Sequence, residues 1–281
     1  MSSLLKFFFL TYAVTWACFI TVVMISHGPA PTAAHALVRG FLLLLGTFAP
    51  LLVALWITAR TEGRAGVRAL LRRLVQWQVG MRWYLFAIVY LPAIKLSVAL
   101  VHRVMTGSWP RFGTEPWYII LLAIAISTPV QAGEEIGWRG YVLPRLAGRF
   151  GFARASLVLG LVWSIWHLPI FFLPGADKYG QSFPVWTLQV VALSVAITWL
   201  YAHTNGSLLL TMLMHSAVNQ TVGIIPSANA NPGNPFALSV SLVMWLTVAF
   251  LWATALYFLV RMSKVESHAD KLISGPIPLL R

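Results

Sequence analysis

ALVRGFLLLLGTFAPLLVALWIT (36–58) runs directly into ARTEGRAGVRALLRRLVQWQVGMR (59–82). The first stretch is long and apolar enough to cross a bilayer as a helix, which takes about 20 residues. The second carries Arg60, Arg64, Arg68, Arg72, Arg73 and Arg82 and belongs at a membrane surface. Working outward, further apolar segments stand at 4–25, 83–101, 117–130, 155–172, 185–201, 207–225 and 236–260. Lipid offers no partner for an exposed backbone amide, so runs of this length are helices rather than barrel strands. Those at 117–130, 155–172 and 185–201 are short for a full crossing and need flanking residues or shielding by neighbours. The expected fold is all-α: a polytopic transmembrane bundle of about eight helices, forming one integral-membrane domain over 1–281.

Composition agrees. Hydrophobic residues make up 59% of the chain and charged residues 10%, against roughly 25% charged in a soluble domain. The net charge of +13 invites a nucleic-acid reading. Its distribution argues against one, because the basic residues fall in short connections between apolar runs. The lone cysteine, Cys18, lies within an apolar run and reads as a small buried hydrophobe. The first apolar run has no small-residue cleavage site after it and reads as a retained helix.

Lysine and arginine also set the orientation. Besides 59–82, they gather at Arg139, Arg145, Arg149 and Arg154 and at Arg261, Lys264, Lys271 and Arg281. The alternate connections hold only Arg103, Arg111 and Lys178. The positive-inside rule then places both termini in the cytoplasm. Within the second connection, 64–77 reads as a surface helix, with arginines every fourth residue and Val67, Leu70, Leu71 and Leu74 on another side.

Ionisable groups inside a membrane are costly, which makes each one a functional candidate. Of seven acidic residues, only Glu134 and Glu135 sit at the end of an apolar run. In a helix, Glu135 and Arg139 share a face, while Glu134 points about 100° away and stays free to face a cavity. On spacing alone, an interfacial ion-pair cluster accounts for both glutamates equally well. His167 follows Trp163 by one turn and precedes Pro169, which should break or kink its helix. His215 and Asn219 lie on one side of a later helix, where both can donate to one acceptor or simply hold two helices together. At 1.5 Å per residue, His167 and His215 lie roughly 18 Å and 12 Å from the inner ends of their helices. A chamber opening toward the cytoplasm would accommodate all three positions.

The three stretches Glu134-Glu135-Ile136-Gly137-Trp138-Arg139, Trp163-Ser164-Ile165-Trp166-His167 and His215-Ser216-Ala217-Val218-Asn219 resemble, in order, the motifs of the CAAX protease and bacteriocin-processing family, also called the Abi family. Trp163 stands where phenylalanine is common there. The resemblance covers 117–223 and implies an intramembrane glutamic endopeptidase in a prokaryotic cell membrane, with a peptide or membrane-protein substrate and no metal or other cofactor. It implies Glu134 as general base, His167 as the group holding the water, and His215 and Asn219 as oxyanion donors. Glu135, Arg139 and Trp163 would support them. Three other readings are kept in view. A zinc hydrolase could draw on Glu134, His167 and His215, although no His-Glu-x-x-His sequence is present. A membrane immunity or chaperone-like protein of the same fold would bind a peptide without cutting it. A proton-coupled transporter would give Lys95 a role.

Overall fold

The computed structural model describes residues 2–28, 32–225 and 234–272, with side chains through 264. Lys271 and Arg281 therefore lie outside the described side chains. The described residues form helices joined by short connections, without strands. Six helical stretches are long and apolar enough to cross a membrane, and a shorter apolar one spans Leu208–Ile224.

The first half of the chain forms α1 (Ser3–Ser26), α2 (Ala33–Thr61), α3 (Gly63–Arg72) and α4 (Met81–Thr106). Helix starts are set by caps: Ser2 Oγ accepts from Leu5 N, and Thr32 and His35 form a reciprocal capping box. Gly107 ends α4 in the left-handed conformation that a glycine adopts without strain. The surface helix is shorter than expected. It stops at Arg72 and continues only as a 3₁₀ turn, Arg73–Val75, where Arg73 Nη1 donates to Tyr201 Oη at 2.8 Å.

The segments expected at 117–130 and 155–172 belong to one run of helical turns, Trp117–Phe172, kinked at Gly151. It begins as α5 (Trp117–Ser127), tightens through a 3₁₀ turn at Pro129, and resumes as the short α6 (Ala132–Glu135). A π-helical stretch, Ile136–Val142, follows and is wholly buried. Wide π turns occur where a helix must admit close neighbours, often beside functional groups. Here Gly137 is that point: a Cβ on it would stand 2.5 Å from Pro50 Cβ and 2.8 Å from the Pro50 carbonyl. The missing side chain lets α2 press directly on the glutamate-bearing turn.

The run continues as α7 (Leu143–Trp166), bent at Gly151 where φ is 75°. Then come α8 (Phe183–His203), α9 (Leu208–Thr221) and α10 (Leu242–Leu272). Small residues allow α7 and α8 to approach closely. Ser194 Oγ donates to the Ser156 carbonyl at 2.9 Å, and a Cβ on Gly160 would meet Val191 Cα at 2.8 Å. Pro169 breaks α7 as expected: the helix stops at Trp166, and residues Leu168–Phe172 form a 3₁₀ turn. The Trp166 carbonyl left over at that break accepts from Trp16 Nε1 at 3.2 Å, while Trp166 Nε1 donates to Thr15 Oγ1 at 2.9 Å. Helix α1 thereby fixes the end of α7, and with it the residue that follows, His167.

Candidate active site

Adjacent glutamates leave the α6 turn in different directions. Glu135 is fully buried. Its Oε1 accepts from Arg139 Nη1 at 2.7 Å, one turn later, and lies 3.0 Å from His215 Nδ1 on α9. Arg139 is also fully buried and stacks over the Trp163 ring, with Cζ 4.2 Å from the centroid. The i,i+4 pairing read from the sequence is present, and Glu135 has a second partner in His215 that local spacing does not reveal.

Glu134 takes the other direction, toward α7. Its Oε2 accepts from Trp163 Nε1 at 2.7 Å and stands 4.0 Å from His167 Nε2. His167 Nδ1 lies 2.9 Å from the Trp163 carbonyl. A carbonyl only accepts, so Nδ1 carries the proton and a neutral His167 presents its Nε2 lone pair toward Glu134. Two acceptors facing each other cannot bond directly, and the 4.0 Å gap is of the size one water spans when it donates a hydrogen to each. Trp163 thus does more than pack against the imidazole edge. Its rings stand edge-on to His167 and His215 at centroid distances of 5.7 and 5.2 Å, and its N–H holds the carboxylate.

His167, His215, Asn219 and Trp163 all line one cavity of about 250 Å³. Glu134 is not among the lining residues. Its carboxylate stands just behind the wall, held by Trp163 and facing His167. Asn219 is exposed, and its Nδ2 lies 3.5 Å from Gln131 Oε1, one helical turn before Glu134. Gln131 had no signal in the sequence, since its partner sits on another helix. Lys95 also lines the cavity and donates to the Ile225 carbonyl at 3.3 Å. Among the described residues, no group of three His, Cys, Asp or Glu is arranged to hold a metal ion. His215 Nδ1 is engaged with Glu135 instead.

Asp177, Lys178 and Gln181 from the α7–α8 connection, Val222 and Gly223 after α9, and Met244 at the start of α10 complete the cavity's lining. Trp138, Arg139, Tyr141 and Glu135, in and beside the π-helical stretch, are each 0–1% exposed.

An apolar multi-pass bundle with a carboxylate, two imidazoles and a carboxamide gathered at an internal cavity defines a membrane-embedded protein with a polar site within its helices. Residues 114–221 match the family model for the type II CAAX prenyl endopeptidase Rce1-like proteins. The chain is also 24% identical over 232 residues to CAAX prenyl protease 2 of Methanococcus maripaludis, across 76% of this chain and 82% of that protein. The matched stretch contains all three motifs, so the likeness to CAAX proteases falls on the residues gathered at the cavity of a multi-pass membrane protein.

Proposed function

We propose that the protein hydrolyses a peptide bond by a metal-independent glutamate mechanism, with Glu134 as general base. The observation that carries this is the 4.0 Å gap between Glu134 Oε2 and His167 Nε2 beside a cavity shared with His215 and Asn219. A water in that gap gives one hydrogen bond to each acceptor and turns its lone pairs toward a substrate carbonyl. Glu134 takes the proton as the oxygen–carbon bond forms, His167 keeps the water aligned, and the protonated Glu134 then gives that proton to the amine nitrogen as the carbon–nitrogen bond breaks. Trp163 holds the carboxylate from behind, which fixes the base without neutralising it.

Oxyanion stabilisation falls to Asn219 and His215. The Asn219 amide can donate as it stands. His215 is oriented with Nδ1 toward the Glu135 carboxylate, so its Nε2 donates to an oxyanion only when the imidazole is protonated, with Glu135 as its counter-ion. Glu135 and Arg139 are positioning residues in this scheme. The substrate is a peptide or the end of a membrane protein that enters the cavity within the bilayer.

The test is a comparison of membrane-protein and peptide termini in cells expressing the wild type or Glu134→Ala, at matched protein levels. A terminus produced only by the wild type, and still produced by purified enzyme in excess chelator, is the expected result. If both cell types show the same termini, the hydrolytic reading fails, and a peptide-binding immunity or chaperone role takes its place. Loss of activity in chelator, restored by zinc, would instead favour the metal-dependent alternative.

A further inference from the structure

Helix α3 has two faces with separate uses. Its inner face is tied into the protein: Leu70 is 7% exposed, and a Cβ on Gly140 would stand 2.7 Å from Leu70 Cδ1. Arg73, on the same side, donates to Tyr201 Oη. Arg64, Arg68 and Arg72 recur every fourth residue and so share the opposite side, where all three are exposed. Among the described residues, no carboxylate forms an ion pair with any of them. Glu62, the acidic residue of this stretch, pairs with Arg145 instead.

The same three arginines line a surface groove whose other walls are Ala59, at the end of α2, and Val67, Leu71 and Val75. Cations thus rim an apolar floor. Helix α2 is long and apolar enough to cross a membrane and ends at Thr61. The groove therefore lies where the apolar run gives way to arginine, at the level of lipid headgroups. A molecule that satisfies both parts of it carries a phosphate at one end and hydrocarbon at the other.

We propose that this groove binds one anionic phospholipid. Arg64, Arg68 and Arg72 hold its phosphate, since guanidinium forks match phosphate oxygens two at a time. An acyl chain lies along Val67, Leu71 and Val75. A zwitterionic lipid would bring its own ammonium among three like charges, so a headgroup without one is preferred. On the inner face, Leu70 rests on Gly140, within the π-helical stretch that follows Glu134 and Glu135. A bound lipid thereby steadies the glutamate-bearing turn from outside. The site stands whether or not Glu134 is a base.

Delipidated full-length protein in neutral detergent is offered equimolar phosphatidylglycerol and phosphatidylcholine with identical acyl chains, and the retained lipid is counted by native mass spectrometry. The wild type should keep one phosphatidylglycerol in preference. Arg64→Gln/Arg68→Gln/Arg72→Gln should lose that preference, by roughly fivefold for each arginine removed. Should the triple variant not fold, Arg68→Gln alone should show the single step. Arg149→Gln/Arg154→Gln/Arg261→Gln removes the same charge from exposed positions elsewhere and should retain the preference. Equal losses in the two triple variants, or a wild type without preference, would overturn the site. In a second arm, phosphatidylglycerol should raise the wild-type melting temperature and inorganic phosphate alone should not. An equal rise with phosphate would overturn the lipid assignment, and no rise with phosphatidylglycerol would overturn the bracing.

Discussion

Two sub-sites built from adjacent glutamates behave oppositely. Glu135, Arg139 and His215 form a closed set: both members of the ion pair are fully buried, and His215 is 3% exposed. Glu134, Trp163 and His167 form an open set at the cavity wall, with 4.0 Å between carboxylate and imidazole. In the closed set the opposite charges meet through Glu135 Oε1 alone, with Glu135 Oε2 and Arg139 Nε and Nη2 buried without a hydrogen bond, and burial makes the loss of either partner expensive. In the open set the acceptors face each other without a bond, an arrangement that is useful only when something with two hydrogens lies between them. On the proposed reading, one carboxylate holds the structure and its neighbour is left available for chemistry.

Substitutions can break this contrast, and the largest effect is expected on the closed side. Arg139→Ala strands Glu135 in the interior, and breaking one partner of a buried pair costs about 3–5 kcal/mol. Thermal unfolding in detergent should show a large drop in stability; an unchanged melting temperature would mean that the pair does not hold the fold. On the open side, Asn219→Ala should lower turnover by about a hundredfold, roughly 2.7 kcal/mol of transition-state stabilisation, with stability preserved. Equal losses of turnover and of stability would place Asn219 in the packing instead. Gly137→Ala pushes a methyl group into Pro50, and overpacking of this kind costs about 1–3 kcal/mol. Its effect should appear in the melting temperature ahead of the kinetics. Trp163→Phe keeps the ring and removes the N–H that holds Glu134, so a smaller loss of about tenfold in turnover is expected. If Trp163→Phe matched wild type in turnover, the hydrogen bond would be incidental.

The helical path was legible because bilayer crossing demands long apolar runs, and arginine clustering marks where they end. Pro169 announced the break beside His167, and the i,i+4 relation of Glu135 to Arg139 followed from helix geometry alone. Three contacts were not legible: Glu135 with His215, Trp163 with Glu134, and Gln131 with Asn219. Each joins helices far apart in sequence, where no periodicity records which faces meet. The π-helical stretch also escaped notice, since glycines at 137 and 140 signal close approach without saying which neighbour approaches.

The central claim is that Glu134 acts as a base while its neighbour acts as a brace. The most direct measurement compares turnover of one peptide substrate by purified wild type and Glu134→Gln, alongside their melting temperatures. The account predicts a loss of about a hundredfold or more at an unchanged melting temperature. Turnover equal to wild type in a folded Glu134→Gln protein would contradict it.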